Sequence, residues 1–540
     1  MNGIIRFGIM WTLVQLFYCR AWRAGFVTDF TGLAERLDGQ PFSDFIYCFG
    51  FPALEQITLG SLWVLYHLFS TEPFGWYLVF TTLHALSGFQ LWRLTNALQQ
   101  TDDRPGATWL PWLAALMFLL CPYQTEVVVW RVCFNFVSSS FLIISTLYAA
   151  VRYFQTDRPR YYWQMNGILL LAFFTFELAL TLPFMVLTLL PFVVPSAHRW
   201  GRHLWGTVLP QFGLLVGYFL LNKWWLGVWI GHYGAEAHLK FTPELVFGNF
   251  FRHLTKLLLF VRNWPHAWKE AQNEHFVGTP QVFVYSAVVF LGVVLFIWFF
   301  KKISPRLRLA GLSLALFVWA LAPVANLYYA YILNVENDRY GYLPAAFFAM
   351  GFAFLLARFG KKIAWMVGGI YLIFASCFLW KNVGYWQDNA TVYNALLDNF
   401  PAHDAPVVYL LAFPDNYRGT PMFKNYGKGH RLFKDALRYV AHRPTEGKIY
   451  QIAQFNQESL QDSFYVSGNP VPGDSVHLEF AQWGNWWWRN AIGADTYRTD
   501  DYKWKRDDQR SYFIPYTPLD PNAVFLWSAG SEWRQLRTER

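Results

Sequence analysis

For its first 380 residues the chain alternates long apolar runs with short polar breaks, and then it changes character. Apolar segments lie near residues 4–22, 76–96, 108–121, 128–151, 163–176, 178–194, 204–225, 281–300, 308–328, 343–358 and 363–380. Many approach the roughly 20 residues an α-helix needs to cross a bilayer, which predicts about eleven transmembrane helices. Two further stretches fit less simply. Residues 53–69 (ALEQITLGSLWVLYHLF) are apolar enough to span, yet counting them would invert the first loop relative to everything downstream. They read as a juxtamembrane or re-entrant helix inside a long first outside loop, 23–75. Residues 245–262 are interrupted by Arg252, His253 and Lys256, and read as an interfacial helix with apolar residues on one side and bases on the other.

After Lys381 the apolar runs stop and Asp, Asn, Lys, Arg, Pro and Gly become frequent. Helix-like stretches at 385–398 and 430–441, with strand-like runs at 406–413, 448–455, 463–467, 475–481 and 522–528, predict a small mixed α/β domain. The expected fold class is an α-helical polytopic membrane domain, 1–381, followed by a soluble α/β domain, 382–540.

Composition agrees: 55% of residues are hydrophobic and 15% charged, against about a quarter charged in soluble domains. A net charge of +9 would suit nucleic acid if it were clustered, but the bases sit in short loops between apolar segments, so no nucleic-acid partner is expected. They concentrate in alternate loops: Arg152, Arg158 and Arg160; Arg199 and Arg202; Lys301, Lys302, Arg306 and Arg308; Arg358, Lys361 and Lys362. The positive-inside rule makes those loops cytoplasmic and places the remaining loops and the C-terminal domain outside. Arg6 followed by an apolar run without a small-residue cleavage site reads as a retained signal anchor. Cys19, Cys48, Cys121, Cys133 and Cys377 form no CxxC pair, so neither a disulfide framework nor a zinc site is indicated.

With sides assigned, a set of acids of the membrane domain falls outside. Asp29, Glu35, Asp38, Asp44 and Glu55 lie in the first loop, Glu126 in the next, Glu177 between two apolar runs, and Glu336 and Asp338 just before Arg339. Ionisable groups at membrane depth need partners or a wet cavity, so several on one face suggest a shared site. Asp29 sits in AGFVTDF, an apolar context that would desolvate its carboxyl and raise its pKa toward a base's working range. Glu126 and Glu177 suit either a site or the cap of the helix that follows each. Arg339 suits either an ion pair with Asp338 or Glu336 or an anionic phosphate. Asp29, Glu126, Glu177 and Arg339 are the leading candidates.

Three segments resemble a known family. CPYQTEVVVW (121–130), FELALTLPFMVL (176–187) and ENDRYGYLPAA (336–346) resemble, in order and spacing, three motifs of the GT-C membrane glycosyltransferases. The similarity is to the branch that holds the eukaryotic tetratricopeptide-repeat O-mannosyltransferases and their bacterial cousins, where the patterns run P-x-x-T-E-x-V, K-E-x-x-x-T-L-P and E-R-Y-x-Y-L-P. The resemblance implies an inverting transfer of a sugar from a polyprenyl-phosphate donor to a protein, lipid or polysaccharide acceptor on the extracytoplasmic face. It implies that Asp29 is the general base, that Arg339 holds the donor phosphate, and that Glu126, Glu177, Glu336, Asp338 and Tyr342 line the site. The chain departs from the pattern in places. Phe30 stands where a second first-loop acid is frequent, so the second carboxylate of a divalent-metal pair is missing. Phe134-Asn135-Phe136 replaces an R-x-D, Phe176 replaces a Lys, and Asn337-Asp338 intervenes before Arg339. Lack of the eukaryotic repeats points to a bacterial inner membrane, or to the ER membrane in a eukaryote.

In the C-terminal domain, WGNWWWRN (483–490) offers Trp483, Trp486, Trp487 and Trp488 for anchoring at the headgroup layer or for stacking on an acceptor sugar. Asn389-Ala390-Thr391 fits an N-glycosylation sequon. No nucleotide-phosphate loop, zinc motif or serine nucleophile elbow is visible, which argues against an ATP-driven pump and that type of hydrolase. A transporter or flippase for lipid-linked glycans, or a polymerase or ligase of another fold class, is the competing expectation.

Overall fold

A computed structural model describes residues 2–100, 107–194, 197–231, 242–265, 302–327, 337–423 and 432–457, most of 280–299, and separate short stretches of 267–275 and 459–536. Each of the eleven apolar segments coincides with a helix, from Gly3–Tyr18 at one end to Lys361–Asp398 at the other. Five helical stretches are long and apolar enough to cross a membrane: Arg131–Thr156, Arg199–Leu226, Pro305–Val324, Asp338–Arg358 and Lys361–Asp398. A sixth forms if Leu110–Leu119 and Pro122–Val129 are taken together across a 51° bend. Pro122 stands at that break, where its ring cannot continue the preceding helix and its missing N–H costs nothing.

Phe134–Thr156 packs between Pro73–Gln99 and Pro159–Phe173, and Tyr342–Arg358 packs on Pro305–Leu321 and Leu110–Leu119. The outer helices carry the opposite pattern. Pro280–Trp298 exposes Val284, Val288, Phe290 and Trp298, and Lys361–Asp398 exposes Met366, Ile370, Ile373 and Phe374. Contiguous exposed apolar surface of this kind marks a face meant for lipid or for another protein. The helix Gln56–Phe69, within the expected re-entrant segment, has 14 residues, about 21 Å against a hydrocarbon core of about 30 Å. Its start is tied to another element: Ile57 N–H donates to the Phe174 carbonyl at 2.9 Å and Thr58 Oγ1 to that of Thr175 at 2.6 Å.

The boundary expected at residue 381 falls inside one unbroken helix. Lys361–Asp398 runs for 38 residues, about 57 Å, and so carries the chain from the apolar bundle into the C-terminal domain. The polar turns after Lys381 change which faces are wet without breaking the helical hydrogen bonds. Asn389, the sequon residue, is 1% exposed in this helix and its amide is spent on the backbone of Thr420 and Pro421.

Beyond it lie two sheets. The first has strand order β11-β10-β1-β3-β6, from Glu532–Gln535, Val524–Ala529, Val407–Tyr417, Lys448–Gln457 and Trp486–Trp488, and β2 (Thr420–Pro421) folds back on β1. β1 is parallel to both β3 and β10, and the chain returns from β1 to β3 through the helix Leu432–Tyr439. The second sheet is antiparallel, in the order β4-β5-β9-β8-β7: Tyr465–Ser467, Ser475–Glu479, Ser511–Pro515, Lys503–Arg506 and Thr496–Arg498. Trp486, Trp487 and Trp488 therefore form an edge strand paired with Phe455, Gln454 and Ala453. Trp483 lies outside the described residues.

The C-terminal domain docks on the first loop. Leu432–Tyr439 packs against Asp29–Gly39, His442 Nε2 meets Thr71 Oγ1 at 3.0 Å, and Thr28 N–H donates to the Met422 carbonyl at 3.1 Å.

Candidate active site

The bend after Leu119 sets the site. It delivers Glu126, fully buried, in the first turn of Thr125–Val129. Its carboxylate accepts from the backbone N–H of Arg339 at 2.7 Å and of Asn337 at 3.3 Å, and pairs with Arg339 Nη1 at 2.6 Å. Asn337 has φ +74°, at the turn where its own N–H and that of Arg339 meet one carboxylate. Glu126 is thus a helix cap in trans: it serves the start of Asp338–Arg358, not the helix it begins. Arg339 also lies over Trp130 and Tyr340, at 5.4 and 4.7 Å from the ring centroids.

Asp338, also fully buried, is not the partner of Arg339. Its Oδ1 accepts from both Lys256 Nζ and Arg262 Nη2. Both cations lie over the Tyr123 ring, at 4.8 and 4.6 Å from its centroid. Burial lowers the Lys256 ammonium from its ordinary pKa while Asp338 pulls it back up. His253 packs against Gly341, where a Cβ would stand 3.2 Å from Nδ1. The helix Pro243–Leu259 is amphipathic as expected, but its bases face inward: Arg252, His253 and Lys256 are buried, while Phe247, Leu258 and Leu259 are exposed. The carboxylate of Asp338 holds Lys256 there, and Arg252 Nη1 donates to Asn249 Oδ1 at 3.1 Å.

Asp29 opens the helix Asp29–Gly39 and is exposed between buried Thr28 and Phe30. The desolvation expected from AGFVTDF falls on its neighbours, not on its carboxyl. Thr28 adopts φ +50°, rare for a β-branched residue. Its Oγ1 accepts the Asp29 N–H and its carbonyl accepts Thr31 Oγ1 at 2.9 Å. The preceding loop is sewn to the Glu126 segment: Arg131 N–H donates to the Gly25 carbonyl at 3.1 Å and Trp130 Nε1 to that of Val27 at 3.1 Å. Gly25, at φ +103°, allows this approach, since a Cβ there would lie 1.9 Å from the Val129 carbonyl oxygen. The charges of Glu126, Arg339 and Asp29 all bear on one buried thiol, Cys133. The structure therefore holds the loop that leads to Asp29 against the continuation of the segment that bears Glu126 and, through it, Arg339.

Glu177 is placed differently. It begins the turn Glu177–Thr181 and accepts the Gly231 N–H at 3.0 Å. Its charge acts on Glu55, a first-loop acid that no motif in the sequence singles out. Burial, and after it the Glu177 charge, push the Glu55 carboxyl well above the ordinary carboxylate range. Phe136 spans from this pair toward Arg339, with its ring 4.8 Å from Phe176 and 6.0 Å from Tyr340. Tyr342 is fully buried and its hydroxyl meets His84 Nδ1 at 2.8 Å, so it holds one helix to another below the site. Glu336 lies outside the described residues. Among the described residues no group of three His, Cys, Asp or Glu side chains is arranged to hold a metal ion. No protein-family model and no curated protein matches the sequence.

Replacing Glu126 by Ala leaves the Arg339 guanidinium mostly buried without its carboxylate and costs about 3 kcal/mol of stability, read as unfolding by denaturant in nanodiscs. The double change Glu126→Ala/Arg339→Met recovers part of that loss; full stability of Glu126→Ala alone contradicts the trans cap. Glu55 binds its proton more tightly when folded, so the stability it contributes is complete below the unfolded carboxylate pKa and falls as pH rises. Glu55→Gln, which cannot ionise, gains stability over the parent between about pH 4 and about pH 7. A difference that stays constant with pH rules this out.

Proposed function

We propose that the chain is an integral membrane glycosyltransferase of the GT-C type that uses a polyprenyl-phosphate sugar and inverts the anomeric centre. The observation that carries the reading is the position of Asp29: an exposed carboxylate on a helix N-terminus, tied by backbone to the segment that bears the Glu126–Arg339 pair. Asp29 accepts the proton of an acceptor hydroxyl, and the oxygen attacks the anomeric carbon opposite the phosphate. The bond from that carbon to the phosphate oxygen breaks, and polyprenyl phosphate leaves with the electron pair. Arg339 meets the leaving oxygens. Its side chain is 13% exposed, against 3% for Lys256 and 8% for Arg262, so of these three cations it is the one nearest to substrate space. Glu126 holds it there; Glu177 and Glu55 set the neighbouring wall.

Eleven crossings, with Asp29 and the C-terminal domain outside, are part of this reading. An odd count puts the first outside loop and the C-terminus on the same side, which agrees with the Thr28 to Met422 hydrogen bond and the packing of Leu432–Tyr439 on Asp29–Gly39. The cationic loops then face the cytoplasm of a bacterial cell. The acceptor is a hydroxyl of a protein, lipid or polysaccharide.

Purified protein in nanodiscs should transfer labelled sugar from a polyprenyl-phosphate donor, and Asp29→Asn should lower turnover by about 100-fold or more with unfolding behaviour unchanged. Normal turnover by Asp29→Asn would remove the mechanism.

A further inference from the structure

The conformation that aims Asp29 is held from outside its own loop. Thr28 sits at φ +50°, a region that a β-branched side chain reaches only when its surroundings impose it. Two of the anchors are local, the Thr28 Oγ1 bond to the Asp29 N–H and the Thr31 bond to the Thr28 carbonyl. The third is the Met422 carbonyl, nearly 400 residues away along the chain. A carbonyl can hold such a strained residue only if it is itself fixed, and Met422 is.

It follows a tight β1–β2 hairpin whose corner, Arg418-Gly419, has both residues at positive φ, +49° and +82°, as a two-residue type I′ turn needs. Gly419 N–H is caught by Asn416 Oδ1 at 2.8 Å, and Met422 N–H by the Asp415 carbonyl at 2.7 Å. Below the hairpin stands Asn389 on Lys361–Asp398. Its Nδ2 reaches the Thr420 carbonyl at 2.9 Å, Thr420 Oγ1 at 3.2 Å and the Pro421 carbonyl at 2.9 Å. The same helix is joined to the end of the first apolar segment, eight residues before Thr28, through Arg20 Nε donating to Gln387 Oε1 at 2.7 Å. A rigid path therefore runs from the apolar bundle through Asn389 and the hairpin to Thr28, one residue before the carboxylate.

We propose that the β1–β2 hairpin of the C-terminal domain sets the aim of Asp29, with Asn389 as a positioning residue that acts through it. The functional half of this rests on Asp29 being the base. The structural half stands without it, and the experiment separates the two. In the full-length protein in nanodiscs, hydrogen–deuterium exchange should show the Thr28 amide protected. Asn389→Ala and the nearly isosteric Asn389→Asp, which replaces the donor by a second acceptor, should both speed exchange of residues 27–31 by about tenfold or more. Per mole of folded protein, quantified by unfolding in nanodiscs, both should lower kcat by about tenfold with the KM for the polyprenyl-phosphate donor within about twofold of the parent. A fast-exchanging Thr28 amide in the unaltered protein, or unchanged exchange in both variants, overturns the coupling without any assay of turnover. Faster exchange with unchanged kcat, in a protein that Asp29→Asn inactivates, overturns the positioning role. Should Asp29→Asn turn over normally, the base reading falls and the exchange result alone decides whether the hairpin holds the loop.

Discussion

A carboxylate taken out of water loses several kcal/mol of hydration unless donors replace the solvent, and Glu126 replaces it with two backbone N–H groups and a guanidinium found 211 to 213 residues later. That requirement joins the two halves of the apolar bundle. The bend at Pro122 aims the carboxylate, the positive φ of Asn337 aims the donors, and the helix Tyr342–Arg358 begins where the two meet. Neither feature has a reason to exist without the other.

Once Arg339 is committed to Glu126, Asp338 needs its own cations. It takes Lys256 from the helix Pro243–Leu259, whose apolar face then looks outward, and Arg262 from the turn Val261–Asn263 that follows. Tyr123, beside Glu126 in the chain, offers its ring to both. One short segment, Pro122–Val129, thus meets three ion pairs, one through the Glu126 carboxylate and two through the Tyr123 ring, and its continuation through Trp130 and Arg131 holds the loop that ends in Asp29. The exposed acid and the buried cluster are one construction.

How much of this was visible in the sequence follows from the range of each interaction. Apolar runs report local burial, so all eleven segments were found as helices, and five of the C-terminal strands were found by their β-branched and aromatic runs. A change of composition also looked like a domain boundary at 381, but helical hydrogen bonding is indifferent to which face is wet, and Lys361–Asp398 continues through it. The short strands around Trp486–Trp488, Thr496–Arg498 and Lys503–Arg506 carry too few residues to show a period. At the site, the motif segments pointed to Glu126, Asp338 and Arg339, though the exchange of partners, Arg339 to Glu126 and Asp338 to Lys256 and Arg262, is set by tertiary packing alone. The bases that interrupt 245–262 were a signal of it, since a basic stripe on a helix needs either water or buried acids. The apolar neighbours of Asp29 predict a desolvated carboxyl; its position at a helix start turns those neighbours inward and leaves it outside.

The account stands or falls on whether Asp29 and Arg339 face one substrate. Cryo-electron microscopy of the protein in nanodiscs with a non-hydrolysable polyprenyl-phosphate sugar analogue is the direct measurement. The account predicts phosphate density against the Arg339 guanidinium, with the anomeric carbon on the side of Asp29. Density for the bound analogue away from both residues, with the Glu126–Arg339 pair undisturbed, would contradict it.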